Sequence, residues 1–339
     1  MLNTTLKITK GIRNNLLILI VIFFTNNLLA EDFFAKLETP LSPLVTKKGQ
    51  KTSELSKDFV FEGEYSEKFT LGHGDCGSDR RGYNDCVMDR SRVERKIDYT
   101  KGNEFYYSFS LYIPKDFNAA DGNSIAQSKV SGLRPPLWQL RFDEQLLDMF
   151  LVLKFDASQK SQKGCILDNI NNYKGKWTSF VVYANYGKKG NNAFTYNNQE
   201  FLGGLWVNGK RILLPCASKN TVHDSRLVPK EGMNSFNKKG ANFKYGIYNS
   251  YVSNWLYKES TAKGFKPNVT SWNDTGAIGK GTAVKSYTNE PWNVDWGVEY
   301  PTKVLYYDAI SMTKERPEGL DDQYTFTNCQ FYKYLMQKC

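Results

Sequence analysis

Apolar and polar residues alternate along much of this chain, and the alternation is clearest over residues 105–113. There, every second side chain is large and apolar: Phe105, Tyr107, Phe109, Leu111 and Ile113. Because successive side chains of a strand point to opposite faces, this period of two predicts a β-strand with one face in a core. Pro114 ends the run, since proline cannot continue a strand ladder.

Further strands are predicted where the same alternation or a β-forming run recurs. They cover residues 90–97, 124–130, 137–142, 149–155, 177–186, 204–207, 210–213, 243–249 and 303–312. Asn208-Gly209 separates two of them and predicts a hairpin with a type I′ turn, which needs positive φ at both positions. Many strands with almost no helical periodicity predict an all-β fold. We expect two antiparallel sheets packed as a sandwich, a β-jelly roll of the concanavalin-like type.

The N-terminus predicts an export signal. Lys7, Lys10 and Arg13 precede a short apolar run at residues 16–24, and an alanine closes the segment at a plausible cleavage point. An uncleaved membrane anchor is the alternative, but the apolar run is short for a membrane span. We therefore predict a signal peptide at residues 1–30. The mature protein would be exported, periplasmic or secreted, without stable membrane insertion.

The remaining chain predicts one domain with a long loop. Residues 31–56 are polar and predict an extended lead-in to a single domain at residues 57–339. Residues 255–300 show no sustained alternation, and a loop of that length is usually functional or disordered. Its tryptophans argue against disorder and leave two roles open, stacking on sugar rings or packing beneath the loop: Trp272, Trp292 and Trp296.

The six cysteines fit an exported protein, because disulfides persist in oxidising compartments. Proximity in sequence suggests three pairs, although other connectivities are possible: Cys76–Cys86, Cys165–Cys216 and Cys329–Cys339. Metal ligation by Cys76 and Cys86 is the alternative, but no CxxC pair or histidine cluster supports it. The two histidines, His73 and His223, predict surface or hydrogen-bonded loop residues. We therefore expect no metal and no other cofactor.

The net charge is +10 and the isoelectric point is near 9.1. A basic exported protein suggests an anionic partner, which could be a polysaccharide, a lipid surface or a nucleic acid. Compact basic runs of the kind that grip nucleic acids are confined to Arg80-Arg81 and residues 90–96. Elsewhere the positive charge recurs on predicted strands. We therefore expect an anionic polysaccharide as the partner, no nucleic acid, and a monomeric protein.

Strand parity places the polar side chains of four predicted strands on one surface. These side chains are Arg90, Arg92, Glu94 and Lys96, then Gln127 and Lys129 with Ile125, then Gln139 and Arg141, then Lys244, Gly246 and Tyr248. Arg95 departs from the pattern, since it falls among the apolar residues of the opposite face. The alternative to a functional site is a solvated basic surface.

Three of these strands resemble the strand motifs of the jelly-roll alginate lyases of polysaccharide lyase family 7. The motifs are Arg92-Val93-Glu94-Arg95, Gln127-Ser128-Lys129 and Phe243-Lys244-Tyr245-Gly246-Ile247-Tyr248-Asn249. Similarity to the related heparin lyase and glucuronan lyase group extends over residues 106–117, 177–186 and 206–209. The resemblance covers roughly residues 60–312. It implies a β-jelly roll that cleaves a uronate-containing polysaccharide by β-elimination, without a catalytic metal.

The resemblance also implies roles for individual residues. Arg92 and Gln127 would contact the uronate carboxylate, and Glu94 would hold Arg92 in place. Tyr248 would be the catalytic phenol, and Lys244 would line the substrate groove. Further substrate-binding candidates on the same face are Arg90, Gln139 and Arg141.

Two positions depart from the family pattern. Lys129 stands where these alginate lyases carry histidine, and Ser250 alters the end of the third motif. β-Elimination needs a neutralised carboxylate, a base for the C5 proton and an acid for the leaving oxygen. Lys129 could be the base if burial and Arg92 lower its pKa, or it could remain a cation beside a Tyr248 that serves as both base and acid.

The missing histidine favours the second arrangement. We expect Lys244 and Lys129 to lower the pKa of Tyr248, so that the phenol takes the C5 proton and then protonates the leaving oxygen. One shuttling phenol suits syn elimination, in which both groups lie on the same side of the ring. The sequence therefore predicts faster cleavage of glucuronate or mannuronate blocks than of guluronate or iduronate blocks.

Two other functions compete with this interpretation. A non-catalytic carbohydrate-binding jelly roll would explain Lys129 as a sign of lost activity. A glycoside hydrolase of the laminarinase-like type would need two carboxylates at a fixed separation. No Glu-x-Asp-x-x-Glu pattern occurs in the sequence, and the acidic residues of the Trp-rich loop are a poor substitute: Glu290, Asp295 and Glu299. Hydrolysis is the least favoured.

Overall fold

Strands dominate the part of the protein that the structure, a computed structural model, describes. That part comprises residues 53–77, 85, 89–102, 104–120, 123–130, 136, 138–143, 146–152, 162–185, 203–212, 240–250, 252–267 and 291–325. The strands are β1 (Glu54–Ser56), β2 (Ser66–Leu71), β3 (Arg90–Thr100), β4 (Glu104–Tyr112), β5 (Asn123–Val130), β6 (Trp138–Asp143), β7 (Leu146–Val152), β8 (Gln162–Asn169), β9 (Trp177–Asn185), β10 (Gly203–Val207), β11 (Lys210–Ile212), β12 (Ala241–Ser250), β13 (Lys303–Thr313) and β14 (Asp321–Thr325). The helices are α1 (Val252–Ala262) and two short 3₁₀ helices (Ile170–Asn172 and Pro291–Asn293).

The strands form two sheets, as the sequence predicts. One sheet has the order β3-β12-β5-β6-β7-β8, and its neighbours are all antiparallel. The other has the order β1-β2-β13-β4-β9-β10-β11-β14, in which only the β11–β14 pair is parallel among the strands described. The two-sheet sandwich confirms the predicted all-β, jelly-roll class.

Aromatic side chains from both sheets form the core. Phe243 of β12 lies with its ring centroid 5.4 Å from that of Tyr107 on β4. Tyr245, two residues further along β12, lies 5.5 Å from Tyr307 on β13. All four side chains are fully buried. The apolar face predicted for β12 therefore packs between the sheets, which directs the alternate residues of this strand to the opposite face.

The predicted strands are confirmed, with small shifts at their ends. β4 buries Phe105, Tyr107, Phe109 and Leu111 on one face, as the period of two requires. In the hairpin between β10 and β11, Asn208 and Gly209 have φ of 51° and 77°, the left-handed values of a type I′ turn. The sequence did not predict β1, β2, β8 or β14. Of the extended lead-in, Glu54–Ser56 forms β1.

Two residues differ from the simple alternation. Arg95 does lie on the inner side of β3, but it pairs with the buried carboxylate of Glu67 on β2, with Nε 2.5 Å from Oε1. Ile125, which was expected to share the outer face with Gln127, is buried at 1% exposure, and Gln127 is buried too, at 3%. A register shift between Ser124 and Ala126 interrupts the alternation of β5 at this point.

The prediction of a loop without elements at residues 255–300 is wrong in its first part, where α1 continues to Ala262. Val252 and Leu256, one helical turn apart, pack against Trp296 and Tyr300. Trp296 is 2% exposed, so it packs in the core and does not stack on sugar. Trp292 packs against the same cluster. Both tryptophans therefore pack within the protein, which is one of the two roles that the sequence left open. Trp272 and Glu290 lie outside the described residues.

Several expectations concern segments that the structure does not describe. They include the signal peptide and the residues Cys86, Cys216, His223, Cys329 and Cys339. Cys76 is disulfide-bonded, while its predicted pairing with Cys86 stays a prediction. Within the described ranges, no helix is both long and apolar enough to cross a membrane.

Candidate active site

The polar face of the six-stranded sheet brings the predicted site residues together. Tyr248 on β12 lies directly opposite Arg92 on β3. On the other side of β12, Lys244 lies opposite Gln127 on β5, which in turn lies opposite Gln139 on β6. Four strands that are distant in the sequence thus contribute to one surface, which we call the groove face. It is defined by Arg90, Arg92, Glu94, Lys96, Gln127, Lys129, Gln139, Arg141, Lys244 and Tyr248.

Arg92 is held by two carboxylates. Its Nε lies 2.6 Å from Oδ2 of Asp85, and its Nη1 lies 3.9 Å from Oε2 of Glu94. Burial alone would lower the pKa of Arg92, but Asp85 and Glu94 outweigh this effect and raise it. Glu94 thus contacts Arg92 as the sequence predicted, although Asp85 makes the closer ion pair.

Glu94 organises the centre of the groove face. Its Oε1 accepts a hydrogen bond of 2.5 Å from Nε2 of Gln127, and its Oε2 lies 3.7 Å from Nζ of Lys244. Gln139 donates from Nε2 to Oε1 of Gln127 at 3.4 Å. The amide of Gln127 is therefore oriented from both ends, because its oxygen accepts from one neighbour while its nitrogen donates to another.

Two lysines on this face have a reduced proton affinity. Burial, reinforced by the positive charge of Lys244, lowers the pKa of Lys129 to about 8, although Glu94 opposes the shift. Burial also lowers the pKa of Lys244. Both shifts follow from the cost of burying an ammonium group near other cations. The main chain of Lys129 is fixed by a 2.9 Å hydrogen bond from its N–H to Oδ1 of Asn242 on β12.

Tyr248 is half-buried and keeps its proton. Burial raises the pKa of its phenol to about 12, and the nearby guanidinium groups of Arg90 and Arg92 only partly oppose this. The guanidinium of Arg90 lies over the phenol ring, 6.0 Å from its centroid. The expectation that Lys244 and Lys129 lower the pKa of Tyr248 is therefore wrong for the free protein, because burial of the hydroxyl dominates.

The other predicted residues lie at the edges of the same face. Arg141 on β6 lies opposite Ser124 on β5 and Asp148 on β7. Lys96 on β3 lies opposite Lys244 and contributes to lowering its pKa. These side chains extend the cationic surface on both sides of β12.

Candidate metal ligands are absent from the described part of the chain, where no group of three or more His, Cys, Asp or Glu side chains could hold an ion. His73 accepts a hydrogen bond of 2.9 Å at Nδ1 from the main-chain N–H of Tyr300. Its ring packs edge-on against Trp292, with 5.1 Å between centroids. His73 is thus the hydrogen-bonded loop residue that the sequence predicted.

Sequence reasoning missed Asp85, the carboxylate closest to Arg92. The residue lies outside every predicted strand, and no periodic pattern marks it. Its main-chain N–H donates to the carbonyl of Gly77 at 2.9 Å, and its own carbonyl accepts from the N–H of Arg90 at 3.1 Å. The only available signal was its position beside Cys86, in a loop predicted to be closed by a disulfide.

Comparison with known proteins places the chain in a family. The family model described as "Polysaccharide lyase" matches residues 40–276, which is more than half of the chain. The chain therefore belongs to this polysaccharide lyase family, which confirms the lyase class that the motifs predicted. No curated protein sequence matches the chain.

Three solved lyase structures are similar to the chain at low identity. The endo-β-1,4-glucuronan lyase of the fungus Trichoderma reesei is 14% identical, with a TM-score of 0.43 over 81% of this chain and 92% of that chain. Alginate lyase A1-II′, a member of polysaccharide lyase family 7, is 12% identical, with a TM-score of 0.40 over 78% and 85%. Alginate lyase vAL-1 from Chlorella virus is 13% identical, with a TM-score of 0.38 over 78% and 90%.

Proposed function

We propose that the groove face is an active site that cleaves a uronate-containing, anionic polysaccharide by β-elimination. One observation carries this proposal: a guanidinium, an amide, an amine and a phenol surround Glu94 on a single sheet. Arg92 and Gln127 contact this carboxylate, and it influences the pKa of both Lys129 and Tyr248. These are the groups that elimination from a uronate requires.

The first requirement is neutralisation of the substrate carboxylate. The C5–H bond of a uronate is weakly acidic while the adjacent carboxylate keeps its full charge, because the transition state moves further negative charge onto it. Arg92 supplies an oriented guanidinium and Gln127 an oriented amide, and such donors act strongly where water is excluded. Lys244 adds positive charge beside them.

The second requirement is a base and an acid, and we assign these roles to Lys129 and Tyr248. With a pKa of about 8, Lys129 is neutral in an appreciable fraction of molecules at mildly alkaline pH and can take the C5 proton. With a pKa of about 12, Tyr248 retains a proton that it can give to the leaving O4. As the C5–H bond and the C4–O bond break, the C4=C5 double bond forms, and solvent then returns both residues to their starting states.

This division of roles differs from the single shuttling phenol favoured by the sequence. It is supported by the two pKa shifts, which make the amine more readily neutral and keep the phenol protonated. A separate base and acid do not have to lie on the same side of the sugar ring. The preference for glucuronate or mannuronate blocks stays a prediction that distinguishes the two arrangements, since only the single phenol requires it.

The test is a panel of purified polysaccharides: alginate, glucuronan, heparin-type and pectic substrates. We expect at least one to yield products with the ultraviolet absorbance of an unsaturated uronate, and we expect Tyr248→Phe to be nearly inactive on the same substrate. Binding without any double-bond formation would identify a non-catalytic carbohydrate-binding protein instead. New reducing ends without double bonds would identify a hydrolase.

We further propose that the protein is exported, as a periplasmic or secreted monomer. The charge pattern of residues 1–30 and the disulfide at Cys76 support this proposal. An anionic polysaccharide is a substrate found outside the cytoplasm, and a disulfide persists there. Cell fractionation with an intact and a truncated N-terminus, followed by sizing of the mature protein, tests both statements.

A further inference from the structure

We propose that Asp85 is a positioning residue for this reaction: it fixes the plane of the Arg92 guanidinium so that the guanidinium meets the carboxylate of the substrate. The inference rests on the proposed function and adds a residue to it that no strand motif contains. Asp85 does not need to touch the substrate. It acts through Arg92.

The geometry of the ion pair is the first argument. Oδ2 of Asp85 lies 2.6 Å from Nε of Arg92, whereas Oε2 of Glu94 lies 3.9 Å from Nη1. Carboxylates beside Nε and beside Nη1 restrict the positions that a planar guanidinium can take, and the contact at Nε is an ion pair and not an aligned hydrogen bond. Glu94 also serves Gln127 and Lys244, so of these two carboxylates Asp85 is the one committed to Arg92.

The anchoring of Asp85 is the second argument. The residue is 2% exposed, and its main chain is bound to Gly77 on one side and to Arg90 on the other. A β-carbon at Gly77 would come within 3.0 Å of both Nε of Arg92 and Oδ2 of Asp85. The absence of a side chain at this position therefore permits the close approach. Gly77 itself follows the disulfide-bonded Cys76.

The charge distribution is the third argument. Asp85 keeps Arg92 charged and offsets part of its field, so the neighbouring cations Arg90, Lys129 and Lys244 add to the attraction of an anionic chain. The contribution of Asp85 is to hold the guanidinium of Arg92 in one orientation. An oriented donor lowers the barrier because it needs no reorganisation as the charge develops.

The experiment compares Asp85→Asn, Arg92→Lys and the double variant on the substrate that the wild-type protein cleaves best. We expect Asp85→Asn to lower kcat/KM by about 10²-fold, since a displacement of about 1 Å has an effect of that size. In the Arg92→Lys background, where the fork of donors is already lost, the same change should cost less than about threefold. Asp75→Asn is the control, because Asp75 also lies between β2 and β3 in the chain and its Oδ2 accepts from the N–H of Gly72 at 2.6 Å; it should behave as wild type.

Two results would overturn the proposal. One is Asp85→Asn with activity within about threefold of wild type. The other is an equal loss with and without the Arg92→Lys substitution, which indicates a general structural role. Melting temperatures and circular dichroism of all variants exclude unfolding as the cause, and Asp85→Glu should restore part of the activity because it restores the charge.

A binding measurement separates this inference from the proposed function. Affinity for a uronate oligosaccharide, compared with its carboxyl-reduced counterpart, reports the contact with Arg92 without any turnover. If the wild-type protein binds but does not cleave, the proposed function fails, yet Asp85→Asn should still weaken carboxylate-dependent binding by at least about tenfold. If that binding is unchanged, the positioning role is contradicted on its own.

Discussion

Two ionic clusters flank β3, one on each face, and they differ in charge balance. In the core cluster, Arg95 pairs with Glu67 at 2.5 Å, and the hydroxyl of Tyr245 donates to the same carboxylate at 2.8 Å. One guanidinium thus meets one carboxylate there. On the groove face, five cations that influence one another surround two carboxylates, within the part of the chain that the structure describes: Arg90, Arg92, Lys96, Lys129 and Lys244 against Asp85 and Glu94.

The comparison supports the proposal that the groove face is a binding site and the core cluster a structural ion pair. Both clusters are desolvated and both contain a tyrosine of β12 with a raised pKa. Within the described residues, the core cluster pairs its guanidinium directly with a carboxylate and shows no excess of cations. The groove face carries an excess of positive charge at a position where burial makes this unfavourable, and an external anion would relieve it. Perturbed pKa values alone do not separate the two cases, whereas the charge balance does.

Replacing the tyrosine of each cluster should give the largest difference in activity between the two clusters. We expect Tyr248→Phe to lower kcat by about 10²–10⁴-fold, because it removes the acid. Tyr245→Phe should leave kcat unchanged and lower the stability, because it removes a buried hydrogen bond to Glu67. Steady-state kinetics and urea unfolding of the two variants measure this. Equal losses of activity would contradict the assignment of separate roles.

Changing Lys129 should give the next largest effect. For the wild-type protein we expect kcat/KM to rise with pH through about 8, as Lys129 loses its proton and becomes a base. Lys129→Arg keeps the positive charge but cannot lose a proton in this range, so it should be at least about 10²-fold less active.

A pH–rate profile of each protein tests this directly. If Lys129 only supplies charge, Lys129→Arg will retain most of the activity. In that case the rise of kcat/KM will continue well above pH 8, towards the ionisation of Tyr248.

Breaking the core pair should affect stability and leave catalysis intact. Glu67→Gln removes the buried carboxylate that lies 2.5 Å from Nε of Arg95, and loss of one partner of a buried ion pair costs about 3–5 kcal/mol. Glu94→Gln, its counterpart on the groove face, should reduce activity as well as stability, because Glu94 is the buried carboxylate beside Arg92 and Lys244 and orients Gln127. Chemical denaturation and kinetics of both variants measure the contrast. Loss of activity in Glu67→Gln without loss of stability would contradict it.

Salt should give the smallest difference between the clusters. Raising the ionic strength shortens the range of charge interactions from about 30 Å at 0.01 M to about 8 Å at 0.15 M. We expect a severalfold weaker affinity for uronate oligosaccharides, because the groove face attracts them through several cations. The stability of the core pair should hardly change, since buried pairs are little screened. Titration of binding and unfolding at both salt concentrations checks this.

The features that the sequence could predict are those with a local signal. Period-two alternation identified β4 and β12, and Asn208-Gly209 identified a hairpin. The same alternation assigned Lys244 and Tyr248 to one face and Phe243 and Tyr245 to the other, which the structure confirms. These results depend only on residues that are neighbours along one strand.

The features that could not be predicted arise from contacts between distant segments. Asp85 reaches Arg92 from a loop, and Glu67 reaches Arg95 from the other sheet, so neither partner is visible in a strand motif. The pKa of Tyr248 depends on how deeply its hydroxyl is buried, which the sequence does not specify. In α1, the apolar pair Val252 and Leu256 is followed by a serine at the next turn, so its helical period is too weak to stand out.

The products of the reaction test the central claim most directly, namely that the cationic groove face serves elimination from a uronate. Mass spectrometry of an oligosaccharide before and after treatment measures whether water is added. We predict two fragments whose masses sum to that of the substrate, one of them carrying a double bond. Fragments whose masses together exceed that of the substrate by one water would contradict the account.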